Sequence, residues 1–470
     1  MEFNSLLFLL FFGLVTLLYH QFGKSLKPYF LLIVSCFFYM AFKPVYILIL
    51  VLTIAVDYYA AIKIQQHTGT LKKRWYIFSI VITCAILFVF KYFNFFTLNI
   101  IALADVFHIQ KPWTLMNILL PIGLSFHTFQ SLSYVSEVYY GGYKPERNFW
   151  IYSLYVMFYP QLVAGPIERP QGLLDQLKNQ PKTTANDIYS GLLLMLWGFF
   201  KKLCIADRLA DFVNLTYANP NKHNSIEIAL AIIFFGIQIY CDFSAYSDIA
   251  IGSARTMGYK LNINFNRPYI AHSFADFWHR WHISLSTWFR DYVYIPMGGN
   301  RGSKFKKNIN ILTTFTISGL WHGANFTFVL WGFIHGLFLA IEKEYIEKIK
   351  YSFSKKIYTV LVFITVSLLW VLFRAENFTK AIQIYKGLFL KIKFAIPFGS
   401  GFEKVSSLAI VPFVLVLMFY MEKRGGLHPL YHFTQHKSFA FQTVFILAFI
   451  FVILSFGAFI SPSSFIYFQF

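Results

Sequence analysis

Charge is what this sequence has least of. Asp, Glu, Lys and Arg together make up 13% of its 470 residues, where soluble domains carry about a quarter. No stretch is long and polar enough for a separate soluble domain. Cysteine is scarce too: Cys36, Cys84, Cys204 and Cys241 lie within or beside apolar runs, with no CxxC pair. They read as small buried hydrophobes, neither disulfides nor metal ligands. Also missing are the GxSxG nucleophile elbow, the HExxH zinc-protease helix and any internal repeat.

What is present is apolar. Hydrophobic residues reach 57% and the mean hydropathy is +0.54. Apolar runs of about twenty residues recur from end to end, the mark of an all-α polytopic integral membrane protein. The formal charge of +20 invites a nucleic-acid partner, but the Lys and Arg sit mostly in short junctions between apolar runs. Anionic headgroups and the positive-inside bias demand that pattern, so the bilayer is the partner and nucleic acid is not. The first 24 residues carry Glu2 and no basic flank, so they read as a first transmembrane helix rather than a cleaved signal.

Taken in order, runs at 6–19 and 29–42 are followed by a break at Lys43-Pro44 and a further run to about 62. Lys72, Lys73 and Arg74 mark a first cytoplasmic anchor. The next span, 75–96, predicts Lys91 snorkelling towards headgroups. A run at 115–140 mixes Pro121, His127, Gln130 and Glu137 into apolar sequence and so lines something, with His127 itself a satisfied interior histidine. Residues 149–170, with Pro160, Gly165, Pro166 and Pro170, read as a re-entrant or broken segment buried in protein. A span at 188–203 ends on Lys201 and Lys202. In the run 226–251, Gln238 and Asp242 share a helix face and Asp248 follows. These carboxylates are either functional or part of a polar network locking helices together. Later spans fall at 357–373, 407–421 and 439–460, with an amphipathic piece ENFTKAIQIYKGLFL between the first two. The total is about eleven spans plus two or three half-inserted segments.

The richest chemistry lies in 274–322. Trp278, Trp281 and Trp288 prefer a membrane interface and place 274–294 as an interfacial or re-entrant helix. Residues 309–341 would make a single helix of roughly 50 Å, too long for a core of about 30 Å, so the segment is tilted or broken near Gly319 and Gly323. His322 then lies at mid-membrane, and charge bias does not distinguish a crossing from a re-entrant hairpin. A histidine at that depth suits proton transfer between substrates arriving from opposite sides. One such arrangement is a thioester donor from the cytoplasm and a hydroxyl acceptor from outside. His279-x-x-His282 allows a metal reading, but iron-dependent membrane oxygenases carry several histidine boxes and this chain has one pair. No metal is expected.

The motifs LPIGLSFHTFQSLSYVSEVYYG, FYPQLVAGPIERP, YCDFSAYSDIAIG, FWHRWHISLSTWFRDYVYIPMGGNR, GLWHGANFTFVLWGFIHG and FIYFQF occur in that order. Together they resemble the membrane-bound O-acyltransferase family, and are most similar to its alginate and peptidoglycan O-acetyltransferases. The resemblance implies one domain over 1–470, with an N-terminal helical part of about 1–90 and a family-like core of about 90–470. It implies a ring of helices around a central constriction in a bacterial inner membrane. It also implies an acetyltransferase that uses acetyl-CoA as donor substrate, with no permanently bound cofactor. The implied partners are a periplasmic esterase-like transferase and an envelope polysaccharide acceptor.

By the same resemblance His322, in WHG, is the catalytic residue and His282, in RWHIS, the second one. His279 stands where the family commonly has Arg. Trp321, Trp281 and Trp278 are expected to pack the constriction. Asp291, Arg290, Asp242, Trp321 and Asn325 are candidates for substrate contact or the interior polar network. Lys304, Lys306 and Lys307 either attract coenzyme A phosphates or form a solvated loop. The abundance of Phe, Tyr and Lys suggests an AT-rich genome and favours peptidoglycan as the polymer. The alternatives are alginate or another exopolysaccharide and, in another class, a transporter of an acetylated carrier.

Overall fold

The computed structural model describes residues 1–108, 114–116, 120–163, 165–346, 355–390, 409–459 and 463–468. Among these there are helices and turns and no strand. The first four helices are α1 (Leu6–Gln21), α2 (Lys27–Met40), α3 (Pro44–Gln66) and α4 (Gly69–Val106). Then come α5 (Leu124–Tyr140), α6 (Phe149–Met157), α7 (Ala185–Ala218) and α8 (Ser225–Thr256). The 274–322 region yields α9 (Phe274–Arg280), α10 (Ile283–Phe289) and α11 (Lys304–His322). The rest forms α12 (Phe326–Glu344), α13 (Lys355–Arg374), α14 (Phe378–Phe389), α15 (Val411–Gly425) and α16 (Phe439–Phe456).

Seven of the described helices are long and apolar enough to cross a membrane: α3, α4, α7, α8, α12, α13 and α16. The expected total of about eleven counts apolar runs that fold into shorter or more polar helices. A straight crossing needs about 20 residues, whereas α1, α2 and α5 have 16, 14 and 17. Helix α11 opens with the polar KFKKNIN. Parts of the expected runs, at 117–119, 407–408 and 460, lie outside the described residues, as do the last two residues of FIYFQF.

Local chemistry explains several boundaries. Pro44 opens a 3₁₀ turn that leads into α3, so the break at Lys43-Pro44 is real. Asn224 caps α8 through the N–H groups of Ile226 and Glu227, and the Glu227 carboxylate answers the Asn224 N–H. The 149–170 segment is a broken, buried helix as read: α6 is followed by a short turn at Tyr159–Leu162, nearly all of it out of solvent.

Helices α7 and α8 form the centre. In their most apolar windows 72% and 67% of residues are buried, against 17% for α4 and 11% for α16, which therefore stand at the periphery. Small residues bring α7 and α8 together: a methyl group on Gly191 would stand 2.7 Å from the Gly252 carbonyl oxygen, and one on Gly198 2.8 Å from that of Ala245. Lys201 and Lys202 do not end this span. They sit in a π-helical turn (Phe200–Ala206) inside α7, both buried. Lys202 pairs with Asp207 at 2.9 Å and Asp242 at 2.7 Å, and Lys201 pairs with Asp248 at 2.8 Å. Buried cations persist where carboxylates surround them, so an apparent junction is an interior ionic lock.

The 309–341 run is a hairpin. Helices α11 and α12 pack antiparallel, with Gly319 against Phe328 and Gly332 against Phe315. At both glycines a methyl group would collide with a facing backbone carbonyl oxygen. Gly332→Val is therefore expected to push the hairpin apart. Overpacking of this kind costs about 1–3 kcal/mol, readable as a lowered thermal midpoint of the detergent-solubilised protein.

Candidate active site

His322 is the last residue of α11, at the apex of the hairpin, and it is buried. Its ring stands 5.3 Å from Trp331, 5.3 Å from Phe373 and 5.7 Å from Tyr467, centroid to centroid. Its Nδ1 has no hydrogen-bond partner among the described residues. A cavity of about 420 Å³ opens beside it, lined by Lys91, Leu124, Phe126, Trp321, His322 and Tyr467 among others.

His282 occupies the break between α9 and α10. Its φ of 44° lies in the left-handed region, where a non-glycine residue is strained and has to be held by its surroundings. The hold comes from the facing loop: Ile283 N–H donates to the Asn264 carbonyl and Asn266 N–H to the Arg280 carbonyl, both at 2.9 Å. The His282 ring is fully buried, 6.4 Å from that of His322.

Asn264 decides which His282 nitrogen carries the proton. Its Oδ1 accepts from the Ser284 N–H at 3.3 Å and the Ser284 hydroxyl at 2.9 Å. A backbone N–H only donates, so this side of the amide is the oxygen. The same oxygen lies 3.1 Å from His282 Nδ1, which must therefore be the protonated nitrogen. A neutral His282 then presents a bare Nε2, which has no partner among the described residues. Asn264→Leu removes this control and orphans the buried Ser284 N–H. The lost bond should lower stability by about 1–3 kcal/mol, and loss of the tautomer control should lower turnover by roughly 10- to 100-fold, close to the effect of His282→Ala in the same steady-state assay.

A second cavity, of about 350 Å³, is lined by Trp278, His279, Phe289, Arg290, Ser318 and Lys343 among others. Ser318 precedes His322 by four residues on α11, about 6 Å along the axis. One helix thus lines both cavities. Stacked aromatics adjoin Trp321 of the first cavity: Phe129 lies 4.9 Å from Trp321 and 3.9 Å from Trp288.

The other sequence candidates separate. Trp321, Trp281 and Trp278 are buried in this aromatic packing, as expected. Trp278, Trp281 and Trp288 are buried rather than interfacial, because α9 and α10 are sunk into the protein. Arg290 lines the second cavity. Asp291 is clamped by Arg290, whose Nε lies 2.7 Å away, and by Arg169. Burial pushes the Asp291 carboxyl upward, but the hydrogen bonds from Arg290 and Arg169 outweigh it and hold the pKa below the ordinary value. Asn325 caps α12 through the Thr327 N–H at 3.1 Å and reaches the Glu376 carbonyl at 2.7 Å, away from both cavities. Asp242 belongs to the ionic lock and also accepts from the Ile466 N–H at 2.8 Å, which ties the C-terminal segment to α8.

His279 is exposed while His282 is buried, and the chain break between them turns the two rings apart. Among the described residues no group of His, Cys, Asp and Glu converges as a metal site would. His127 is buried, but neither ring nitrogen has a partner among the described residues, so it is not the satisfied histidine expected. Lys304, Lys306 and Lys307 do not line the second cavity; the cationic side chains that do are Arg290 and Lys343.

Sequence reasoning missed three residues. Tyr467 was visible only as part of the FIYFQF motif, and Asn264 sits in a loop with no helical signal. Lys91 does not snorkel. Its ammonium turns inward to the Trp321 and His322 carbonyls, at 2.5 and 3.1 Å.

The sequence pattern of the MBOAT, membrane-bound O-acyltransferase family, matches residues 148–379. The chain is 38% identical over 392 residues to a probable alginate O-acetylase of Pseudomonas aeruginosa, covering 83% of this chain and 75% of that protein. It is 32% identical over 388 residues to a peptidoglycan O-acetyltransferase of Helicobacter pylori, covering 76% and 73%. A teichoic acid D-alanyltransferase of Bacillus subtilis is 26% identical over 260 residues, covering 53% and 66%. With a buried histidine at the apex of the hairpin facing a cavity, these likenesses make the chain an acyltransferase belonging to the membrane-bound O-acyltransferase family.

Proposed function

We propose that the protein is an O-acetyltransferase of the bacterial inner membrane. It takes acetyl from acetyl-CoA on the cytoplasmic side and delivers it outward for O-acetylation of an envelope polysaccharide. The observation that carries this reading is the placement of His322 and Ser318 one turn apart on α11, each lining a different cavity. The second cavity lies towards the basic ends of the hairpin, where Lys304, Lys306 and Lys307 precede it and Lys343 follows. By the positive-inside bias that end is cytoplasmic. Arg290 and Lys343 offer charge to the donor's phosphates, and the apolar lining suits its pantetheine arm.

In this reading the acceptor hydroxyl reaches the first cavity. His322 takes its proton as the oxygen attacks the thioester carbonyl; the carbon–sulfur bond breaks and the coenzyme A thiolate leaves to the cytoplasmic side. His282, kept as the Nδ1–H tautomer, offers its bare Nε2 as the acceptor that orients the donor. A periplasmic esterase-like transferase then carries acetyl to the polymer. Peptidoglycan is the polymer we favour from the residue usage of the chain. Alginate is the second reading, and the identity to the Pseudomonas protein favours it.

The test uses purified full-length protein in nanodiscs with acetyl-labelled acetyl-CoA and the partner transferase. Thioester cleavage and label transfer are followed with peptidoglycan fragments and, separately, with alginate oligomers. Cleavage with label on one polymer is the expected result. Absence of cleavage with either acceptor and the partner present would overturn the reading in favour of a carrier transporter.

A further inference from the structure

Helix α11 ends on His322, so its last carbonyls have run out of helical N–H donors. Three of them are met from outside the helix. Tyr92 Oη donates to the Leu320 carbonyl at 3.0 Å, while Lys91 Nζ donates to the Trp321 carbonyl at 2.5 Å and the His322 carbonyl at 3.1 Å. Both donors come from α4, a peripheral helix that contributes nothing else charged to this cavity's lining. The two donors lie in a π-helical turn of α4 over Phe88–Tyr92. The Lys91 ammonium also meets the negative end of the α11 dipole and lies 5.5 Å from the centre of the Trp321 ring.

We propose that Lys91 and Tyr92 form an external C-cap that sets the position of His322, making them positioning residues for acyl transfer. The inference rests on the reading of His322 as the base. The π turn of α4 carries both donors, which together meet three successive carbonyls. Without Lys91 the last turn of α11 frays, and His322 loses its alignment with the acceptor. The donor cavity, one turn back at Ser318, keeps its lining.

The test compares Lys91→Met, Lys91→Arg and Tyr92→Phe with wild type, all full-length in nanodiscs. Lys91→Met is expected to lower kcat for acetyl transfer by at least about tenfold, with KM for acetyl-CoA within about twofold. Lys91→Arg, which keeps charge and donors, recovers most of the rate, and Tyr92→Phe loses roughly threefold. A second readout needs no substrate: carbethoxylation of His322 by diethyl pyrocarbonate, followed by peptide mass spectrometry. Its rate should change at least about threefold in Lys91→Met and return in Lys91→Arg. Unchanged His322 reactivity, or a loss confined to KM, overturns the cap. If wild type does not use acetyl-CoA, the donor reading fails and the carbethoxylation comparison still decides the cap. If Lys91→Met does not fold, Tyr92→Phe decides it by the same two measurements.

Discussion

Replacing His322 by alanine is expected to slow acetyl transfer by about 10²- to 10⁴-fold, the usual worth of a positioned general base. The donor's KM should stay near the wild-type value, because the second cavity is lined from Ser318 backwards and does not include His322. The protein should remain folded: the hairpin is held by the Gly319 and Gly332 contacts, which the substitution leaves in place. Steady-state cleavage of acetyl-CoA with an acceptor present checks this directly. A variant that consumes donor at the wild-type rate would remove His322 from the chemistry. His282→Ala should act differently, because its ring is set by Asn264 and does not line the first cavity. Its loss should be matched by Asn264→Leu, whereas the loss from His322→Ala should not.

Lys202→Met should produce the largest loss of stability. The ammonium is fully buried between Asp207 and Asp242 and also donates to the Ser463 carbonyl at 2.8 Å. Removing one partner of a buried ion pair costs about 3–5 kcal/mol, because the remaining charge is stranded without solvent. Here two carboxylates are stranded. The expected result is a marked drop in the thermal midpoint of the solubilised protein, with part of it recovered when Asp242→Asn is added. The same pair of variants separates the two roles first open for Asp242. A structural lock predicts that Asp242→Asn alone lowers stability more than turnover per folded molecule. A catalytic carboxylate predicts the reverse.

Much of this was legible in the chain. Hydrophobic runs, basic junctions and the polar residues placed within them dictate helices in a bilayer, because backbone groups in hydrocarbon must pair within their own segment. Proline at 44 acts through local backbone geometry, so its break was readable in advance, whereas Gly323 is extended and its missing side chain makes room for the Phe328 ring. The family motifs pointed to His322 and His282 and to the packing role of Trp321, while the interface preference of Trp278 and Trp281 gave way to burial.

Partnerships across the fold were not legible. Lys91, Lys201 and Lys202 all read as membrane-edge lysines, since a lysine beside an apolar run has the same local pattern whether it turns to headgroups or to a buried partner. What turns them inward lies far along the chain: the carbonyls at 321 and 322 for Lys91, the carboxylates at 242 and 248 for the other two. Asn264 carries no periodic signal, and only the return of its loop against the α9–α10 break reveals its hold on His282. Composition and motif thus determine the class of molecule and single out the two histidines proposed for catalysis, because hydrophobicity and backbone propensity act over a few residues. Charge pairing, imidazole tautomer and the capping of α11 fall to the tertiary structure, because each needs atoms that only the packing of distant helices brings within hydrogen-bond reach.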